Sequence, residues 1–175
     1  AIEAGTSEEC LHAFEPRIGD CVFIPAGTVH TLGAGLVIAE IQQASDTTFR
    51  LYDWNRVDAS GKSRPLHIDE SLEVVDYNRG PVAVQIPEPL PDLNAQRLVS
   101  CDKFILDRWH FDQPVTLSSE NEFHLLAIIA GQLELEHSGT TEQLPLGSTV
   151  LIPASCPSVR LTPSENATLL NIHLN

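Results

Sequence analysis

The segment Gly19-Asp20-Cys21-Val22-Phe23-Ile24-Pro25-Ala26-Gly27-Thr28-Val29-His30 carries the clearest chemical signal in the chain. Its histidine follows an apolar run and a Pro-Ala-Gly turn. Val22, Phe23 and Ile24 have the bulk that favours an extended strand. Pro25 sets φ, and Gly27 permits a bend that a side chain would resist. A histidine presented from so rigid a turn suits metal coordination, because the ring is oriented before the ion arrives. The plainer reading is a structural histidine after a turn. In both readings, two extended segments and a tight connection must hold His30.

The frame occurs twice. Gly147-Ser148-Thr149-Val150-Leu151-Ile152-Pro153-Ala154-Ser155-Cys156-Pro157-Ser158 repeats the glycine, the apolar run and the Ile-Pro-Ala turn, with Ser158 in the place of His30. Serine is a poor zinc ligand, so the second copy reads as a repeat that kept its fold without a metal. Short apolar runs punctuated by turn residues surround both copies. They predict strands over 21–24, 35–42 and 47–54, and again over 96–106, 108–111, 123–136, 147–152, 158–161 and 168–174. Such spacing indicates antiparallel barrels or sandwiches. Residues 1–14 are compatible with a helix, with Thr6-Ser7-Glu8-Glu9 as its start. The stretch 80–94, with Pro81, Pro87, Pro89 and Pro91, reads as an extended linker. The expected division is 1–78, a linker at 79–95, and 96–175.

The chain has 175 residues, enough for one domain or two small ones, and an apolar fraction of 42% that can build a core. A net charge of −14 disfavours nucleic acid and anionic membranes as partners, since polyanion binding needs clustered Lys and Arg. Cys10, Cys21, Cys101 and Cys156 have no C-x-x-C spacing. With no signal peptide or membrane span visible, they read as reduced, mostly buried thiols of a cytoplasmic protein. His110, His124, His137 and His173 are scattered without H-x-H spacing and read as non-functional.

The His30 turn resembles the second conserved motif of the cupins, small β-barrels that often hold a metal. Glu40-Ile41-Gln42-Gln43-Ala44-Ser45-Asp46-Thr47-Thr48-Phe49-Arg50-Leu51-Tyr52-Asp53-Trp54-Asn55-Arg56 and then Arg64-Pro65-Leu66-His67-Ile68 resemble successive regions of type I mannose-6-phosphate isomerases. The resemblance is dense over 19–68 and loose elsewhere. It implies an all-β protein of two cupin-like jelly-roll units, the first N-terminally incomplete, with a short N-terminal helix. It also implies a zinc-dependent interconversion of mannose 6-phosphate and fructose 6-phosphate by the complete protein.

The resemblance implies roles as well: His30 as a zinc ligand, Arg50 and Glu40 as catalytic groups, Asp46 and Arg56 as substrate-binding groups. His67 has a structural role. Alternation in a strand would put Thr48, Arg50 and Tyr52 on one face. Arg50 would then meet a sugar phosphate, or else pair with Asp46 or Asp53. Glu40, within an apolar run, is expected to be buried, with an outward-facing strand residue as the alternative. Arg56 reads more simply as a surface cation. The family's other zinc ligands, a Gln-x-His segment and a glutamate, have no counterpart in this sequence. The alternative function is therefore a non-catalytic, metal-free cupin module that binds sugar or regulates. The open strand edges of an incomplete barrel are expected to be covered by another chain, such as a second copy.

Overall fold

In the computed structural model, which describes residues 1–2, 4–91 and 94–174, the chain divides into two compact units, Ala1–Val84 and Gln85–Asn175. Among the described residues extended backbone dominates, with one short α-helix and two β-sheets.

In the first unit, Ser7–Cys10 forms a single 3-10 turn after Thr6, which makes no side-chain cap bond. The helix expected over 1–14 is thus reduced to four residues, as suits a short segment that buries none of its side chains. The helix α1 is instead Ile68–Val74, with Asp69 and Glu70 in its first turn and His67 at its N-cap position. Patterning by apolar runs missed it. The strands expected at 21–24, 35–42 and 47–54 do not form; the first contributes only an isolated bridge, Val22 to Val84. Extended segments become strands only when a neighbour pairs their backbone, and among the described residues no ladder forms here. Leu32, Leu36, Val37 and Ile38 are accordingly exposed.

The described residues of the second unit build ten strands: β1 Glu88–Leu90, β2 Ala95–Ser100, β3 Ile105–Phe111, β4 Val115–Ser118, β5 His124–Ala130, β6 Leu133–His137, β7 Thr140–Leu144, β8 Thr149–Ile152, β9 Ser158–Pro163 and β10 Ala167–His173. They form two antiparallel sheets, ordered β1-β2-β3-β10-β5-β8 and β4-β9-β6-β7. Period-two alternation explains the packing. Leu126, Ile128 and Leu169 from one sheet meet Leu133, Val159 and Leu161 from the other in a single core. In β9, Ser158 and Arg160 face outward between the buried Val159 and Leu161.

The expected strands 96–106 and 123–136 each divide in two. The second divides at Gly131-Gln132, where Gly131 has φ 72° and a Cβ would lie 2.2 Å from the Asn166 carbonyl oxygen. Strands β4 and β7 went unread, and β1 lies within the proline-rich stretch, where Pro89 is tolerated on an edge strand. All four cysteines are free thiols, but only Cys156 is buried and Cys10 is exposed, which corrects the expectation that most are covered.

Candidate functional site

The His30 turn is anchored from below. Gly27 has φ 81°, and a Cβ there would lie 2.7 Å from the Val74 carbonyl oxygen at the end of α1. The Asp76 N–H donates to the Gly27 carbonyl at 2.9 Å, and Thr28 N–H closes the turn onto Pro25. Only glycine allows this close approach in this conformation. His30 Nδ1 lies 2.9 Å from the Thr28 carbonyl oxygen. A carbonyl can only accept, so Nδ1 carries the proton and Nε2 presents its lone pair outward, the tautomer that a metal ligand requires. His30 itself is exposed.

Arg50 is clamped by the other end of α1. Its N–H donates to His67 Nδ1 at 3.0 Å, the His67 N–H returns to the Arg50 carbonyl at 2.8 Å, and Arg50 Nη1 donates to the Pro65 carbonyl at 3.2 Å. His67 therefore has the structural role read from the sequence. The buried carboxylate of Asp53 pairs through both oxygens with Arg64 rather than with Arg50. The Arg64 hydrogen bonds hold the Asp53 carboxyl below its ordinary range against the opposing effect of burial, and the charges of Arg64, Arg50 and Arg56 add to this. Arg56 lies over the Trp54 ring, 5.0 Å from its centroid, and Trp54 Nε1 donates to Glu8. Trp54 and Asn55 take positive φ, and the Arg56 N–H donates back to the Asp53 carbonyl at 2.9 Å.

These contacts gather Arg50, Arg56 and Arg64 about Asp53. They do not include His30, Glu40 or Asp46. Glu40 is exposed, contrary to the burial expected of it, because no neighbouring strand covers the apolar run around it. Asp46 is exposed beside a local turn in which Thr47 N–H donates to Ser45 Oγ. The Asp53–Arg64 pair was missed as a site feature. Both residues lay within the segments quoted for the resemblance, and the signal was the opposite charge of two residues separated by a polar turn. Among the described residues no three His, Cys, Asp or Glu side chains converge as a metal site. His30 alone does not fit a zinc centre, which takes about three protein ligands.

No helix is long and apolar enough to cross a membrane among the described residues. Residues 94–173 match the family described as mannose-6-phosphate isomerase, cupin domain. The chain is 34% identical over 153 residues to mannose-6-phosphate isomerase ManA of Bacillus subtilis, covering 87% of this chain and 49% of the relative. It is 31% identical over 157 residues to mannose-6-phosphate isomerase of Streptococcus mutans, covering 90% and 50%. Its fold matches the crystal structure of the mannose 6-phosphate isomerase from Bacillus subtilis with a TM-score of 0.63 at 23% identity, over 74% of this chain and 41% of that one. The chain spans about half the length of the curated relatives it matches. The chain is thus similar, over about half of their length, to mannose-6-phosphate isomerases, and residues 94–173 match the cupin domain of that family.

Proposed function

We propose that this chain is the downstream part of a mannose-6-phosphate isomerase, cytoplasmic and active in its complete form. The 153-residue match to the Bacillus subtilis enzyme carries this reading. The arginine cluster supports it. The Arg64 guanidinium is paired directly with Asp53, whereas among the described residues the Arg50 guanidinium hydrogen-bonds a carbonyl and that of Arg56 lies over an aromatic ring. Two such guanidinium groups on one short segment suit a phosphorylated, oxygen-rich substrate.

In the proposed reaction a proton moves between adjacent sugar carbons, and negative charge develops on their oxygens. Arg50, fixed through His67 to α1, is assigned to stabilise that charge. Glu40 is assigned to acid–base transfer, and Asp46 and Arg56 to holding the sugar phosphate. A zinc site that includes His30 needs ligands other than the described ones, and a second incomplete cupin-like unit around residues 1–78 belongs to the same proposal. So does a covering chain, such as a second copy, over the unpaired segments at 31–49. The 175-residue chain alone is expected to retain well below one zinc per molecule after dialysis. One zinc per chain, ligated only by its own residues, would overturn this ligand assignment.

The test uses the full product of the reading frame that encodes this chain, assayed for conversion of mannose 6-phosphate to fructose 6-phosphate. Arg50→Lys keeps the charge but loses the planar fork, and should lower kcat by roughly a hundredfold with unfolding unchanged. Arg56→Ala should chiefly raise KM. Near-normal kcat in Arg50→Lys would end its catalytic assignment.

A further inference from the structure

The outer face of the second unit's four-stranded sheet carries a shallow, open hollow of about 340 Å³. Arg160 is one of its lining residues. On β9 it stands directly opposite Thr116 of β4 and Glu136 of β6, so the row Thr116, Arg160, Glu136 crosses three adjacent strands in register. Arg64, Arg79, Arg97 and Lys103 are each paired with an aspartate. Arg160 and Glu136, although cross-strand partners, form neither an ion pair nor a side-chain hydrogen bond among the described residues.

The rim is rigid. His137 Nδ1 donates to the Ser158 carbonyl at 2.9 Å, so Nε2 accepts from Ser138 Oγ at 3.0 Å. Ser138 and Gly139 both take positive φ, the conformation of a tight two-residue hairpin turn between β6 and β7. Ser158, in the place that His30 holds in the first copy of the repeat, adds a hydroxyl to the wall.

We propose that this hollow binds a small hydroxylated anion, such as a phosphorylated or carboxylated polyol. The guanidinium of Arg160 supplies donors for the anionic group. Glu136, across the strand, accepts from a ligand hydroxyl. The Thr116, Ser138 and Ser158 oxygens complete a polar wall. A bare anion would meet the repulsion of Glu136, and a neutral polyol would leave Arg160 unused. The site involves none of His30, Glu40, Asp46, Arg50 or Arg56, so it stands or falls independently of the isomerase reading.

The test titrates the 175-residue chain with mannose 6-phosphate, mannose and inorganic phosphate, followed by amide chemical shifts. Mannose 6-phosphate should perturb residues 116, 136–138 and 158–160, and bind about tenfold more tightly than either of the other two. Arg160→Gln should weaken mannose 6-phosphate about tenfold, the loss of one charge-assisted contact. Glu136→Gln should weaken mannose 6-phosphate but strengthen inorganic phosphate, a reversal that a merely structural role would not produce. Unfolding midpoints for each variant control for folding. An absence of shifts at residues 116, 136–138 and 158–160, phosphate binding there as tightly as the sugar phosphate, or an Arg160→Gln chain that binds normally there would each overturn the proposal.

Discussion

The two copies of the Gly…Ile-Pro-Ala frame adopt the same local geometry and have different structural fates. Gly19 and Gly147 both take positive φ, 91° and 86°. Thr28 N–H closes onto Pro25 at 3.2 Å, and Cys156 N–H closes onto Pro153 at 2.9 Å. In the second copy the apolar run becomes β8, paired with β5 from His124–Ile152 to Ala127–Thr149. In the first, the equivalent run makes one isolated bridge. Local sequence sets the turn, and a neighbouring strand decides whether its arms become a sheet. The difference extends to the side chains. Leu126, Leu161 and Leu169 are fully buried in the second unit, whereas Val37 in the first is fully exposed.

The largest effect should separate the units by their cores. Leu169→Ala should cost about 2–5 kcal/mol of second-unit stability by leaving a cavity, whereas Val37→Ala should change stability by less than about 0.5 kcal/mol. Denaturant unfolding can be followed at the buried Trp109, with Trp54, in the other unit, replaced by phenylalanine. Equal effects would show that 31–40 is packed after all.

A smaller effect compares two glycines. Gly131→Ala should cost about 2 kcal/mol, because its Cβ meets the Asn166 carbonyl and the residue has positive φ. Gly27→Ala meets the Val74 carbonyl in the same conformation, yet should act locally. It should speed exchange of the Asp76 amide and free the His30 turn from α1, with little change in the Trp109 transition.

The smallest effect is in pH dependence. In the second unit burial pushes the Asp107 carboxyl up, but hydrogen bonds to His173 and Arg97 more than reverse this and leave it below its ordinary value of 3.8. The hydrogen bond to Asp107 raises His173 above its ordinary 6.5 against the effect of burial. Asp107 therefore contributes stability above about pH 4 that is lost as pH falls through its lowered folded value. His173 contributes stability below about pH 6.5 that is lost as pH rises through its raised folded value. Second-unit stability should fall off on both sides of that window, and Asp107→Asn should flatten both limbs. Asp53, held by an arginine that does not titrate, should give the first unit the acid limb alone. A two-limbed profile that persists in Asp107→Asn would place the titration elsewhere.

What could be read without coordinates was local or repeated. Seven of the ten strands among the described residues of the second unit overlap predicted runs, because alternation of the kind seen in β5 and β9 records a buried face directly in the residue order. Strands β4 and β7 were hidden because a four-residue run and a strand polar up to its last residue, Leu144, carry little periodicity. In the candidate site, the turn holding His30 and the structural role of His67 were legible. The burial of Glu40 was misread, because an apolar run reports a tendency to be covered and the covering must come from another segment.

Turn chemistry, the internal repeat and the isomerase-like segments are short-range properties, and residue order determined them by itself. Glycine at positive φ and proline at a turn act within a few bonds. Tertiary structure alone decided which extended runs became sheet, that α1 braces both the His30 turn and Arg50, and that Arg64 rather than Arg50 takes Asp53. It also decided that Arg160 meets Thr116 and Glu136 across three strands. Each of these joins residues that are far apart along the chain or on separate elements. Residue types show which pairings are possible, and the packed backbone selects among them.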